Sequence, residues 1–459
     1  MTPRPAERGR HPQRLSAPRQ LSARIAAPIA FGTILQPLNS SMIAVVLSGV
    51  RAHFGGGDAT WLVSGLFLAA AVAAPATGRI ADLFGPRRTA LGGLALVATA
   101  SAVAPWAPSL GVLIGLRVLI GIGTAAQFPA GVALIRGAAA RTGSATGSAL
   151  ALLAVASQTA AALGPALGGL LGWPGTFWIN VPLALTAAVA LSRSIPPDPA
   201  PTTRARTALR SMDLPGMLLF TATATTLMLG LLSLETRPQW LWLAAVPPLA
   251  ALLVAYSRRR RDAFLDVRLL ARPSLSLAYL RSAVAATGFY TLFYGLPQWL
   301  EESRHLDAAG AGIIMLPLAA LGIASTLLAA RLTEHRGPRA ALLAAAAALT
   351  AGGLLLGTAV DRHTPLLALL AVLALLGLPN GLANMANQAS VYAATPPGDT
   401  GAASGLYRTS QYAGANLAGA AVALLAAPHT GDAGLHHLGL AVGAAGVVLV
   451  LLTPRPARS

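Results

Sequence analysis

Charged side chains within the long apolar stretches of this sequence are few, and all of them are Arg. Arg117, Arg281 and Arg408 each fall inside such a stretch, whereas every Asp, Glu and His lies in a connector or at the end of a stretch. A guanidinium in apolar surroundings is costly and needs hydrogen-bond partners or an anionic ligand. The pattern therefore indicates anion binding or buried hydrogen bonding, and it offers no acid or imidazole to carry a proton there.

Uncharged polar side chains in the same stretches add candidates for a binding cavity. The predicted cavity residues are Gln36, Asn39, Arg117, Gln158, Tyr290, Tyr294, Asn384, Arg408, Gln411 and Tyr412. Arg408 and Tyr412 share one helical face at an i, i+4 step, and Asn384 belongs to a polar stripe at helical spacing. Two interpretations of Arg117 stay open: it binds an anionic or carboxylate-bearing substrate with help from Arg408, or Asn39 and backbone carbonyls hold it structurally.

The composition excludes several classes of protein. The absence of Lys excludes a Walker A nucleotide site and a Schiff-base enzyme, and the absence of Cys excludes a thiolate metal site. The net charge of +18 lies on Arg in short connectors without interleaved aromatic residues, which is unlike a nucleic-acid surface. We expect no catalytic residue, metal, cofactor, nucleotide or nucleic acid. The expected partners are a small-molecule substrate, protons and the lipid bilayer.

The elements that must position these residues are membrane-spanning helices. Of the 459 residues, 55% are hydrophobic and 10% are charged, and the mean hydropathy is +0.63. These values predict an all-α polytopic membrane protein, since each apolar run can cross a hydrocarbon core of roughly 30 Å. The fourteen predicted transmembrane helices cover 25–49, 60–80, 90–107, 109–135, 145–171, 175–192, 214–235, 239–256, 274–300, 308–330, 340–360, 364–385, 401–427 and 434–453.

The distribution of Arg predicts the orientation of these spans. Most of the 33 basic residues lie in the tails and connectors on one side, and only Arg51, Arg237, Arg304 and Arg362 lie in connectors on the other. By the positive-inside rule, both termini are predicted to be cytoplasmic, in a multi-pass protein of the plasma membrane. All seven Trp residues then fall at or near the outer interface, where their amphipathic rings are favoured.

One charged connector occurs twice, at 78–88 and at 330–339. The residues that the two copies contribute to a predicted conformational latch are Gly78, Asp82, Gly85, Arg87, Arg88, Arg331, Glu334, Gly337 and Arg339. A repeat at this distance predicts two related halves. Either the loops hold helix ends in one of two transport states, or they are solvated positive loops that only fix the topology.

The first copy resembles the signature loop of the major facilitator superfamily, from which it departs at Leu83 and Pro86. Gly164, Pro165, Gly168 and Gly169 resemble the antiporter signature of that superfamily. Because the repeated loop follows spans two and ten, two extra spans separate the halves. This layout resembles the fourteen-span drug–proton antiporter branch, to whose linker the stretch 265–269 is also similar.

The resemblance implies a major facilitator fold of two six-helix bundles plus two intervening helices. The predicted segments are a disordered basic cytoplasmic tail at 1–24, a bundle at 25–192, a cytoplasmic linker at 193–213, two extra helices at 214–256, a linker at 257–273, a second bundle at 274–453 and a tail at 454–459. The resemblance further implies a secondary active transporter that exports a drug-like compound or small organic metabolite in exchange for protons.

Asn39 leaves an alternative open. In the resembling branch, an Asp stands in span one where this chain has Asn39, which cannot ionise. An uncoupled or weakly coupled facilitator, or an organic-anion exporter, is therefore the alternative, with Asp82 or Glu235 as the remaining coupling candidates. A non-transporting membrane sensor is a more remote alternative, because no connector is long enough for a signalling domain. A membrane enzyme would need a convergent set of catalytic residues, which the spans lack.

Overall fold

The computed structural model describes residues 21–55, 61–199, 213–234, 238–260, 263–264, 272–306, 308–396, 400–426 and 431–453. The secondary structure of this part of the chain is helical throughout, apart from turns and short connectors. The helices are α1 Ala23–Thr33, α2 Leu35–His53, α3 Trp61–Phe84, α4 Pro86–Val103, α5 Leu110–Ala125, α6 Gln127–Thr142, α7 Gly147–Trp178, α8 Asn180–Ser194, α9 Leu214–Ser233, α10 Trp240–Arg258, α11 Pro273–Arg304, α12 Ala308–Ile314, α13 Leu316–Arg336, α14 Pro338–Thr358, α15 Leu366–Ala394, α16 Thr400–Leu425 and α17 Asp432–Leu451.

Several neighbouring helices are parts of one helical path. Ile34 and Ala126 keep right-handed helical backbone angles, so α1 continues into α2 and α5 into α6 with little interruption. Gly172 breaks α7 with a φ of 64°. The end of α7, Leu167–Trp178, and the next helix, α8, are bent by 63° relative to each other. Glycine adopts such a φ without the steric penalty that a Cβ would bring. The described residues of each of the fourteen predicted spans lie mostly on one helix or on a pair of consecutive helices.

Fewer than fourteen helices meet both the length and the hydropathy that a membrane crossing requires. Within the described ranges, nine helices are long and apolar enough to cross a membrane, or ten if the bent pair that ends in α8 is one span. The remaining helices are shorter, more polar or broken. The crossing number of fourteen therefore stays a prediction.

The helices form two bundles, and the helical hairpin α9–α10 packs at the boundary between them. Helices α1–α8 pack together, as do α11–α17, while α9 packs against α10 and reaches both α3 and α16. At the base of the hairpin, the buried Asp213 carboxylate accepts hydrogen bonds from the Tyr256 hydroxyl at 2.6 Å and from the Phe264 N–H at 2.8 Å. The segment boundaries at 25–192, 214–256 and 274–453 stay predictions. Residues 1–20, 200–212, 261–262, 265–271 and 454–459 of the predicted tails and linkers lie outside the described residues, as does Glu235.

Small residues allow the two bundles to approach each other closely. Helix α16 lies along α3, where the Thr409 hydroxyl donates to the Ala71 carbonyl at 2.7 Å. A Cβ placed on Gly405 would lie 2.6 Å from the Pro75 Cα and would also contact the Ala74 carbonyl. Because backbone atoms cannot move aside as a side chain can, only Gly fits at this crossing.

We expect Gly405→Ala to destabilise the protein by about 1–3 kcal/mol, since the added methyl overpacks the crossing of α3 and α16. Gly92→Ala is the matched control, because a Cβ there meets no atom within 4 Å, and Ala is the better helix former. Unfolding of both variants in the same detergent measures the difference. Equal midpoints for the two variants would contradict the close approach.

Candidate functional site

A cavity of about 650 Å³ lies between the two bundles. Helices α2, α3, α6 and α7 contribute walls from the first bundle, and α11, α12, α13, α15 and α16 from the second. The predicted cavity residues that line it are Gln36, Gln158, Tyr290, Tyr294, Asn384, Arg408, Gln411 and Tyr412. The packing of the two bundles brings residues that are hundreds of positions apart in the chain to one surface.

The cavity is closed at one end of the molecule and extends toward the other. We call the end with the Gly85 and Gly337 turns the turn face and the other end the opposite face. Toward the turn face, one buried apolar cluster joins both bundles and includes Ile135, Ala278 and Tyr407. Toward the opposite face, the lining continues to Glu301 near the end of α11. The structure therefore presents a cavity sealed at the turn face.

Aromatic side chains form one wall of the cavity. Tyr290 and Tyr294 are one helical turn apart on α11, with ring centroids 5.5 Å apart. Phe67 of the first bundle contacts Tyr290 at 6.4 Å and Tyr412 at 6.0 Å. This wall offers apolar area and ring faces to a flat ligand, and it is built from both bundles.

Polar side chains form the part of the wall that belongs to α15 and α16. Tyr407 and Gln411 both donate hydrogen bonds to the Asn384 side-chain oxygen, the former at 3.0 Å. The Asn384 amide donates in turn to the Asn380 side-chain oxygen at 2.8 Å. Arg408 donates to the Gln411 side-chain oxygen at 3.0 Å, so a connected hydrogen-bond network reaches the one cation in the described lining.

Arg117 and Asn39, both predicted to line the cavity, do not line it. Arg117 is 2% exposed inside the first bundle. Its guanidinium donates to the Asn39 side-chain oxygen at 3.0 Å, the Asn39 carbonyl at 2.6 Å and the Leu62 carbonyl at 3.2 Å. It also lies 5.7 Å from the Phe177 ring centroid. This geometry agrees with the interpretation in which Asn39 and backbone carbonyls hold Arg117 structurally.

Asn180 completes this buried network and was missed by the sequence reasoning. The Asn39 and Asn180 amides donate to each other's oxygen at 2.8 and 2.9 Å, and Asn180 also donates to the Ser101 hydroxyl at 3.2 Å. Both Asn residues are fully buried. The available signal was the position of Asn180 inside an apolar run. Its partners could not be read from the sequence, because they lie on other helices.

The two copies of the repeated connector have the same local geometry. Gly85 and Gly337 have φ angles of 103° and 76°, and each precedes a Pro in the first turn of the next helix. Glycine is favoured at such angles, and Pro suits the first helical position. Asp82 lies in the last turn of α3 and Gly78 one turn earlier, while Arg331 and Glu334 lie near the end of α13 and Arg339 near the start of α14. A latching role for these residues stays a prediction.

Asp198 was not among the predicted latch residues, yet it contacts the first copy. Its carboxylate accepts hydrogen bonds from the backbone N–H groups of Arg87 at 3.3 Å and Arg88 at 2.8 Å. A carboxylate at this position satisfies free donors at the start of α4 and complements the helix dipole. The Arg87 side chain donates to the Ser192 carbonyl at 3.0 Å. The end of α8 is therefore tied to the turn between α3 and α4.

The predicted antiporter motif lies where α7 packs on α2. A Cβ on Gly168 would lie 2.6 Å from the Met42 carbonyl, and one on Gly164 would contact Ser41. These two glycines permit close helix contact, whereas Gly169 is exposed. Pro165 belongs to the same helix. The motif thus has a clear packing role, and its link to exchange stays a prediction.

Comparison with known proteins gives consistent results at the level of family and fold. The model of the Major Facilitator Superfamily matches residues 29–419. The MFS-type transporter YwoD of Bacillus subtilis is 32% identical and the alignment covers 93% of this chain and 95% of that protein. The lincomycin resistance protein of Streptomyces lincolnensis is 31% identical, covering 88% and 85%. The human organic anion transporter MFSD10 has a similar fold, with a TM-score of 0.69 at 16% identity over 94% of this chain and 99% of that one.

We expect Arg117→Ala to destabilise the first bundle by about 1–3 kcal/mol, because it leaves buried neutral acceptors without a donor. Arg141→Ala removes an exposed charge near the end of α6 and serves as the control, with an effect within about 0.5 kcal/mol. Thermal unfolding of the purified variants measures both effects. Unchanged stability with loss of transport would instead return Arg117 to a role in substrate binding.

Removal of the Asp198 carboxylate should loosen the start of α4. We expect Asp198→Ala to cost about 0.5–2 kcal/mol, the usual range for a lost helix cap, and to speed tryptic cleavage at Arg87 and Arg88. The control is Glu302→Ala, because Glu302 is exposed and accepts only from Gln298 on its own helix. Identical cleavage rates in the two variants would show that the Asp198 contacts contribute little.

Proposed function

The chain belongs to the major facilitator superfamily of transporters, and from this premise we propose that it exports drug-like organic compounds across the plasma membrane in exchange for protons. The observation that carries the proposal is the amphipathic cavity, which both bundles enclose and which no single bundle could form. Relatives that bear the names tetracenomycin C resistance and export protein and puromycin resistance protein, 27% and 31% identical, support export of such compounds.

The proposed transport cycle alternates the access of this cavity. In the described conformation, the apolar cluster at the turn face holds the bundles together, and the Arg136 guanidinium lies 5.8 Å from the Tyr392 ring centroid across the two bundles. Opening at the turn face requires these contacts to separate while contacts at the opposite face form. With both termini cytoplasmic, as predicted, the described conformation is the one from which an exporter releases its substrate.

The position of Asn39 favours a second candidate function. Asn39 already satisfies Arg117 without a charge of its own, and the one acid in the described lining, Glu301, lies near the end of α11. A facilitator that moves the same compounds without a proton, or an organic-anion exporter, has no need of a titratable group in the bundle. The two candidates share the cavity and differ in coupling.

The deciding experiment uses the full chain in liposomes that contain a pH-sensitive dye. Lipophilic cations and carboxylate-bearing aromatic compounds are added in turn to protein-containing and to empty vesicles. Protein-dependent proton movement on addition of a compound supports the exchanger. Substrate flux without a proton signal supports the facilitator. Absence of any protein-dependent flux across both compound classes would contradict transport of such compounds.

We expect Ala161→Trp to remove most of this flux, since the large ring fills part of the cavity that Ala161 lines. Leu163→Trp is the matched control on the same helix, because Leu163 is 53% exposed on the outer surface of the bundle. Retained flux in the Ala161 variant, at equal amounts of inserted protein, would mean that substrates take another path.

A further inference from the structure

We propose that the α15–α16 wall of the cavity holds a subsite for the carboxylate of an aromatic substrate, built from Arg408, Asn387 and Gln388. The inference rests on the proposed function, because it assigns a chemical group to the cavity of the transporter. The aromatic wall then receives the ring system, and the carboxylate faces α15 and α16.

Arg408 supplies an uncompensated positive charge in the cavity. Its guanidinium carbon lies 3.7 Å from the centroid of the Phe128 ring. Only Gln411 accepts from it, and its Nε has no hydrogen-bond partner among the described residues. The one carboxylate in the described lining, Glu301, lies near the opposite face. A guanidinium edge of this kind matches the two oxygens of a carboxylate.

Asn387 and Gln388 provide the second, independent observation. Both belong to the cavity lining, with exposures of 0% and 5%. Neither the amide nitrogen nor the oxygen of Asn387 has a partner in the described part of the chain, and the Gln388 oxygen has none either. Leaving such groups unsatisfied costs free energy, so the arrangement indicates a ligand that supplies the missing bonds. The Asn387 amide can donate to a carboxylate, and the Gln388 oxygen can accept from a neighbouring hydroxyl or N–H of the same compound.

The neighbouring hydrogen-bond network leaves Arg408 to set the preference for an anion. The Asn384 side-chain oxygen already accepts from Tyr407 and Gln411, and the Gln411 oxygen already accepts from Arg408. These two acceptors are therefore occupied. The unsatisfied atoms are two donors, the Arg408 Nε and the Asn387 amide nitrogen, and two acceptors, the side-chain oxygens of Asn387 and Gln388. The positive charge of Arg408 therefore sets the preference, because it stabilises an oxyanion and disfavours an ammonium group.

Three fluorescent compounds with the same ring system test the subsite: anthracene-9-carboxylate, its methyl ester and 9-anthracenylmethylammonium. Their binding to the purified full chain in lipid nanodiscs is measured by fluorescence polarisation. We expect the carboxylate to bind tightest. Arg408→Gln should weaken the affinity for the carboxylate by about 10- to 100-fold, as for other lost charge-assisted hydrogen bonds. It should change the affinity for the ester by less than about threefold. Arg408→Lys should give an intermediate loss, because it keeps the charge but not the planar edge.

Two charge controls locate the effect. Arg281→Gln removes a cation that lies, like Arg408, eight residues from the start of its helix but outside the cavity lining. Glu302→Gln removes an exposed acid outside the lining. Neither should weaken carboxylate binding. Asn387→Ala should weaken the carboxylate more than the ester, without loss of the Arg408 charge.

Equal affinity of the unchanged protein for the carboxylate and the ester, or equal losses for both compounds in Arg408→Gln, would overturn the subsite. Export of the ester by the unchanged protein would then still support the proposed function. Selective, Arg408-dependent binding of the carboxylate without flux of any of the three compounds would support the subsite and contradict the proposed export.

Discussion

The cost of placing a charge in an apolar interior is the constraint on which the arrangement of this protein depends. Arg117 meets that cost through neutral acceptors, two from Asn39 and one from Leu62, together with the Phe177 ring. These bonds join α2, α3 and α5, and Asn180 extends the network to α8. The buried cation therefore fixes the relative positions of four helices within the first bundle, so the bundle can act as one rigid unit.

The contacts between the bundles differ from those within them, because they must break and form again as the cavity changes access. At the crossing of α3 and α16, Gly405 and a hydrogen bond from the Thr409 hydroxyl bring the two backbones together. The turn-face cluster is likewise apolar apart from the Tyr hydroxyls. Apolar contacts of this kind can be exchanged for others at little electrostatic cost. The cations that contact the other bundle, Arg136 against Tyr392 and Arg408 against Phe128, do so through aromatic rings. Strong polar bonds within bundles and apolar contacts between them suit the alternating access of a transporter.

The sequence indicated the residues that line the cavity better than it indicated the position of Arg117. Tyr290 and Tyr294, and likewise Arg408 and Tyr412, share faces through helical spacing, which is a local property that a sequence carries. A contact between Arg117 and Asn39 was one of two interpretations that the sequence left open. The direction of Arg117 depends on how α5 packs against α3, where a Cβ on Gly121 would lie 2.9 Å from the Leu66 carbonyl. Asp198 and Asn180 were missed because their partners lie on distant helices, where spacing along the chain gives no signal.

The neutral partner of Arg117 also limits where a proton could act. A carboxylate beside Arg117 could lose its bond when protonated, but the Asn39 amide keeps the same bonds at every pH. Glu301 lies near the opposite face, so it can take part in coupling only if the mouth of the cavity closes over it. Coupling in this chain therefore requires closure around groups at the membrane boundaries. Coupling through the first bundle alone would need an ionisable group that its buried network does not contain among the described residues.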